Sequence, residues 1–492
     1  MQRVLATVRR PIRFLQSGAA AAAVLLGAAP AAAADDAELM KRLNAPLVRV
    51  TEASKSANRL FTAYLDMTKP PKALEGSLAM ADIWPGMTGW ADVAKWAEAN
   101  PAVGKALVEV QNCLVIGVPY GTAGVDPKFI ERGLFATVGT EGAASKGEFP
   151  YLKALAEINA YAVAEMYRRC EAGSFDDAFK VGIAHLRVLR QACDASMYDE
   201  KLAAMQMLCE AFSVHRDVIW SYKRKIGVDR LKNLSLNEYP FLKATDNERM
   251  KRLEMPEGDR IVAEFVIGGV FVAGQPDEEK FSATFAELQA LDEPLTGFGA
   301  AKRWQMIASK HGSLEASLKK LNGIYDDWWR RWRMRQYDPM QSLPTELSRT
   351  NPVKYAAVAL SARDISQMFE MRRRMIVESA GTVLGCGLAA YMLQFEDWPN
   401  DIEKAYAVYI PKRFDFDPYD RDYGRMRYEF LDGREKSTDS EFGRVSMTGC
   451  VLYARNGDNE FNGAGKHFPG GATGDFIVWP PLRALSRGQG GE

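Results

Sequence analysis

Four aspartates crowd one short segment, at Asp415, Asp417, Asp420 and Asp422. Carboxylates this close suit shared proton transfer in a hydrolase, or the binding of a catalytic metal. The same residues also suit a plain turn. Pro418 follows Asp417, Gly424 closes the segment, and aspartates at such positions accept hydrogen bonds from nearby backbone amides. The turn is the simpler expectation. Downstream, Asn456, Asp458, Asn459, Glu460 and Asn462 alternate hard oxygen donors with Gly457 and Gly463, and Asp475 follows. Ca²⁺ takes about six to eight oxygens from a flexible loop of this kind, with backbone carbonyls completing the shell. The ligand spacing of an EF-hand is absent, so a solvated hairpin loop competes with the calcium site.

Other chemistry is sparse. The four histidines are His185, His215, His311 and His467, and the first two sit in amphipathic helical stretches without the spacing of paired metal ligands. No nucleophile elbow, P-loop or dinucleotide-binding glycine motif is present. The six cysteines form no CxxC pair and fall mostly in apolar helical contexts, where cysteine behaves as a small hydrophobe. An oxidising compartment would also allow Cys170, Cys193 and Cys209 to pair.

The elements that must position these residues are mainly helical. Residues 35–110 read as helices broken by Pro/Gly turns, with Thr88 expected to cap a helix that carries Val93, Trp96 and Ala97 on one face. Residues 117–150 are rich in Gly and Pro and read as a surface connection. From 151 to 225 the helical period is strong: Leu155, Ile158, Tyr161, Ala162 and Met166 trace one stripe. Between the first two helices of that stretch, Gly173 is placed past a helix end and Ser174 at the next N-cap. Glycine, aromatic and alanine positions around this turn also occur in tetratricopeptide arrays, although any antiparallel helix pair wants them. The apolar run 262–276 suits a buried helix or strand. Trp328, Trp329 and Trp332 alternate with arginines on a helix over 313–337, which suits packing with arginine stems covering apolar area.

At 492 residues and 47% apolar content the chain has material for more than one core. Its first 34 residues hold Arg3, Arg9, Arg10 and Arg13, then an Ala-rich run ending before Asp35. That is the layout of a secretory signal peptide cleaved after Ala34, with a retained anchor or an organelle presequence as alternatives. Cleavage removes four of the 63 basic residues and leaves the 63 acidic residues in excess, which argues against a nucleic-acid backbone as partner. The apolar run of the leader is short for a membrane span, so no transmembrane segment is expected after cleavage.

A resemblance adds to these expectations. Trp398-Pro399, Ile410-Pro411, Asp417-Pro418, Arg427-Tyr428, Tyr453, Asp458 and Asp475 fall in the order of the globular C-terminal domain of the type II secretion major pseudopilin. The whole chain is also similar to a group of large exported proteins of planctomycete-type bacteria, in which a helical body precedes such a tail. The pseudopilin resemblance implies a structural calcium ion in the last loop, with Asp458 and Asp475 as ligands and Asn459 and Glu460 beside them. One departure matters: the long apolar helix 372–393 is internal, so it resembles the pseudopilin spine without a free N-terminus for filament assembly.

Together these features set the expectation. A signal peptide over 1–34 precedes a helical body of hairpins over 35–350, with a sub-boundary near 117–150. A small α+β domain of a long helix and a short antiparallel sheet follows over 351–492. The expected function is non-catalytic: protein–protein contacts in the periplasm or cell envelope with unidentified envelope proteins, and calcium steadying the tail. The alternatives are a metal-dependent hydrolase built on Asp415–Asp422 and a helical-repeat scaffold.

Overall fold

The computed structural model describes residues 31–139, 147–240, 253, 255–292, 297–334, 338–412, 414–422, 424–469, 471 and 473–489. The expected leader lies outside them except for its last four residues, which open the first helix. Helices α1 (Ala31–Val48), α2 (Ala57–Leu65), α3 (Trp90–Ala99) and α4 (Pro101–Val110) come first. Val93, Trp96 and Ala97 are buried together on α3 as their spacing requires. The cap differs from expectation. Gly89, at φ 80°, precedes the helix in place of Thr88, because the entering turn needs a left-handed residue and glycine takes that conformation without a Cβ clash.

The connection after α4 carries α5 (Pro127–Glu131) and the short pair β1 (Thr137–Val138) and β2 (Gly147–Glu148). Three long helices then run back and forth: α6 (Tyr151–Glu171), α7 (Phe175–Ala192) and α8 (Tyr198–Ile226). Gly173 lies past the end of α6 at φ 77°, while Ser174 occupies the N-cap of α7 without a side-chain cap bond. Helix α6 packs on α7 and α7 on α8. One side of α8 packs on α7, and another is covered by the long helix described below.

The chain continues through α9 (Val228–Asn233) and α10 (Gly258–Gly269) to the hairpin β3 (Phe271–Val272) and β4 (Gln275–Pro276). The apolar run 262–276 thus divides between a helix and a hairpin, because Ala273 and Gly274 both take positive φ and reverse the chain. Helices α11 (Glu278–Asp292), α12 (Gly297–Ala308) and α13 (Leu314–Arg333) follow. Ser313 caps α13 by accepting the Ala316 N–H. Trp328 and Trp332 are buried, and Arg331 turns inward to donate to the carbonyls of Met340, Gln341, Leu343 and Pro344. The tryptophan–arginine pattern is a packed helix, as expected.

After α14 (Ala356–Ser361), the long helix α15 (Ser366–Phe395) is the spine of the tail. Strands β5 (Arg427–Phe430), β6 (Lys436–Ser440), β7 (Gly443–Met447), β8 (Cys450–Ala454) and β9 (Phe476–Trp479) follow, and α16 (Leu482–Ser486) closes the described chain. A three-stranded antiparallel sheet has the order β5-β8-β9, and β6–β7 is a separate hairpin.

Period-two alternation assigns each face of the sheet. Cys450, Leu452, Ala454, Phe476 and Val478 join the large core shared with α15 and the body, whereas Val451, Tyr453 and Ile477 join a small second cluster with Val445 and Met447 of the hairpin. Both faces are covered, so β8 and β9 are apolar throughout. Two glycines let α15 lie close on β9: a Cβ at Gly381 would come within 2.6 Å of Val478 Cβ, and one at Gly385 within 2.5 Å of Trp479 Cε3.

The window of α14–α15 is the one described stretch long and apolar enough to cross a membrane, yet 78% of it is buried inside the protein. That burial is what a core helix requires. The large core therefore runs without a break across residue 350, from the body helices into the tail.

Candidate functional site

The four clustered aspartates do not share one centre. Asp415 accepts from the Tyr406 hydroxyl at 2.5 Å and lies 3.3 Å from the Arg425 guanidinium. Asp417, fully buried, accepts the N–H of Tyr419 and of Arg455, each at 2.9 Å. Asp420 accepts from the Arg455 guanidinium and from the Asp422 N–H, and Asp422 itself is exposed. Burial pushes Asp417 up to about 6. Asp415, Asp417 and Asp420 are held by partners within a folded turn, and Arg455 neutralises its middle, lying against both Asp417 and Asp420. This is the arrangement the turn expectation describes.

The expected calcium ligands are also engaged by the chain. Asp475, buried at the start of β9, accepts the N–H of Asn462 at 3.0 Å and of Ala464 at 2.6 Å. Asp458 accepts from the Glu460 N–H at 3.1 Å and from the Asn462 side-chain amide at 2.9 Å. Both carboxylates therefore meet at Asn462, whose N–H groups stand where a cation shared by them would sit. Asn459, at φ 62°, accepts the Arg421 N–H at 3.1 Å and so ties this loop to the aspartate turn. Glu460 is exposed. Among the described residues no three His, Cys, Asp or Glu side chains gather as a metal ion would need. As folded, the two carboxylates staple the loop through its own amides.

A stability prediction follows for the staple. Asp475→Ala leaves the N–H groups of Asn462 and buried Ala464 without acceptors, and we expect a loss of about 2 kcal/mol in urea unfolding. The loss should be the same in calcium and in chelator.

The histidines and cysteines of the body are held by burial and structural bonds. Burial pushes His185 and His215 down to about 3, where each is neutral and bonded, to Asn159 and to the Tyr239 hydroxyl. His311 accepts the Ala357 N–H at 3.1 Å and bonds the Gly312 carbonyl. All six cysteines are buried free thiols, and burial pushes Cys170 and Cys193 up to about 12, which suppresses the thiolate.

One carboxylate should be visible in a pH titration. Asp259, at the start of α10, accepts the Tyr198 N–H at 2.6 Å, and burial pushes it up to about 7. The folded state then keeps a proton that the unfolded chain releases near pH ~4, so stability falls as pH rises from about 4 to about 7. Asp259→Asn should remove this decline, leaving the variant more stable than the parent at pH 8 by about 2 kcal/mol once partial exposure is discounted. Unfolding curves of both proteins at pH 5 and pH 8 check it.

Two further features were not singled out from the sequence. The first is a surface patch where α15 ends. Phe395 and Val408 are 56% and 47% exposed; the Tyr391 and Phe395 rings are tilted at 45° with centroids 4.5 Å apart, and Tyr409, next to Val408 in the chain, packs edge-on against both. The second is a polar cavity of ≈ 100 Å³ between α8, α15, β9 and the tip of the β6–β7 hairpin. Arg216 and Glu378 are paired in its wall, as are Arg483 and Asp217, and Arg374, Glu210 and Glu441 also face it. His467, one of the four histidines, completes its polar lining. No motif marks this cavity: Arg374 and Glu378 lie four positions apart on α15, while its other charged groups come from distant elements. None of Asp415, Asp417, Asp420 and Asp422 lines it. Comparison with protein-family models, with curated proteins and with solved structures returned no match for the chain.

Proposed function

We propose that the chain is a non-catalytic, exported protein of the cell envelope that works through protein–protein contacts, its body and tail acting as one rigid unit. The observation that carries this reading is the patch of Phe395, Val408 and Tyr391. Large apolar groups gathered on a surface stay exposed at a cost in solubility and commonly mark contact sites. The helix beneath them is locked into the main core, so the patch is presented by a stiff support. The engagement of the acidic cluster, the histidines and the thiols in structural bonds supports the non-catalytic part. Export rests on the arginine-led, alanine-rich leader.

The test is a photo-reactive residue placed at 395 or at 408 in the full chain, expressed in its own cells. Position 105, where Lys105 is exposed on α4, serves as the control. Discrete adducts at 395 and 408 that vanish with Val408→Asp or Phe395→Asp respectively support the reading. Adducts equal to those at position 105 overturn it.

Calcium enters this proposal only through the pseudopilin resemblance. In the folded chain Asp475 already accepts the Asn462 backbone N–H and Asp458 accepts the Asn462 side-chain amide. We therefore expect equal melting temperatures in calcium and in chelator. A concentration-dependent rise that Asp458→Ala abolishes would reinstate the site.

A further inference from the structure

We propose that the cavity between α8, α15 and the β6–β7 tip binds a small zwitterion of the α-amino-acid class, with the ligand carboxylate on Arg374 and its ammonium between Glu441 and Glu210. The inference rests on the cavity alone and is independent of the surface patch.

The walls come first. Arg216 donates to the carboxylate and carbonyl of Glu378 and to the Thr382 hydroxyl, and Arg483 donates to Asp217 and to Ser213. These two buried pairs neutralise each other and leave little charge to offer. Arg374 is different. Its buried Nε lies 3.7 Å from Glu378, a looser ion pair than the other two that falls short of a hydrogen bond, and the residue lines the cavity. A guanidinium fork left open in a cavity is matched by a planar carboxylate.

The acidic side is equally incomplete. One Glu210 oxygen accepts the Ala81 N–H at 2.9 Å. Glu441, at the hairpin tip, is 3.9 Å from His467 Nε2, and Asp217 Oδ1 is buried without a partner. His467 Nδ1 accepts the Ile477 N–H at 3.0 Å, so the neutral ring carries its proton on Nε2, toward Glu441. Desolvation raises both Glu210 and Glu441, and an ammonium beside them would reverse that shift.

Charge then selects the ligand. A simple anion reaching Arg374 meets two glutamates, and a simple cation reaching the glutamates meets Arg374. A molecule carrying both charges meets each with its complement. Size narrows the class further. A volume of ≈ 100 Å³ is smaller than the ~150 Å³ of a cavity that holds benzene, so it suits one amino acid of the smallest kind. Phe442, beside Glu441 on the hairpin, supplies an apolar rim over the ligand's carbon atoms.

Thermal melts of the full chain with glycine, L-alanine, L-serine, L-phenylalanine, acetate and methylammonium test this. Glycine, alanine and serine should raise the melting temperature saturably, while phenylalanine, acetate and methylammonium should not. Arg374→Gln should raise the half-saturating glycine concentration about tenfold or more, the loss of one charged hydrogen-bonding group. Glu441→Gln, on the exposed hairpin tip, should weaken glycine in the same direction and carries the test should the Arg374 variant fold poorly. No shift with any amino acid overturns the proposal and leaves a water-filled cavity. Equal shifts with acetate or with methylammonium overturn it in favour of a simple ion site, and unchanged glycine binding by both variants also overturns it.

Discussion

Glu378→Ala should lower the unfolding free energy by about 3–5 kcal/mol. Glu378 and Arg216 are both almost fully buried, and the guanidinium of Arg216 bonds the carboxylate and carbonyl of Glu378 and the Thr382 hydroxyl. Truncating Glu378 leaves a buried cation with its main counter-charge gone, and the partial desolvation cost of that cation is no longer offset. The pair joins α8 of the body to α15 of the tail, so its loss acts where the two halves meet. Replacing both partners, as Arg216→Met with Glu378→Leu, should restore most of the stability, because an apolar pair of similar volume leaves no charge unpaired. Chemical denaturation of the parent, the single variant and the double variant gives the three numbers. A single-variant loss under about 1 kcal/mol would show the pair to be solvated and the junction open.

Trp479→Ala should cost about 3–5 kcal/mol through cavity formation. Trp479 is fully buried on β9, with its ring 5.2 Å from that of Trp220 on α8 and 6.4 Å from that of Trp398. Trp220 in turn stacks on Trp398 with an interplanar angle of 12°, so the three rings tie the body helix to both ends of the tail. Gly385 admits the ring against α15, and the backbone there has no side chain that could swing in to fill the space. Trp479→Phe should recover more than half of the loss. Equal losses in both variants would mean that the contact energy lies elsewhere.

How much of this could be read from residues alone depends on where the information is local. Helix α6 follows from the period of Leu155, Ile158, Tyr161 and Met166, which is a property of neighbours in sequence. The Asp417–Asp420 turn was legible for the same reason, since Pro418 and the side-chain-to-amide bonds lie within a few residues. The β6–β7 hairpin was missed. Its strands carry Ser437, Asp439, Arg444 and Ser446 on an exposed face, while Thr438, Val445 and Met447 mark the buried one with Lys436 at its edge. The calcium expectation leaned on residue types. It could not see that Asn462 and Ala464 would donate to Asp475, because that depends on a loop conformation set by Asn459 and Ala464 at positive φ. The cavity was invisible for a deeper reason: Glu210, Arg374 and Glu441 come from three elements far apart in sequence, and each alone is an ordinary charged residue.

Both the contact patch and the cavity require body and tail to form one cooperative structure, and native-state hydrogen exchange of the full chain decides whether they do. Amides in α8, α15 and β9 should open together, with the same free energy and the same dependence on denaturant, because one apolar core and the Arg216–Glu378 and Arg483–Asp217 pairs join them. Exchange from β9 at a free energy several kcal/mol below that of α8, with α15 following the strand, would contradict this. The tail would then be a separable module, and neither the cavity nor the stiff patch would have the support proposed for it.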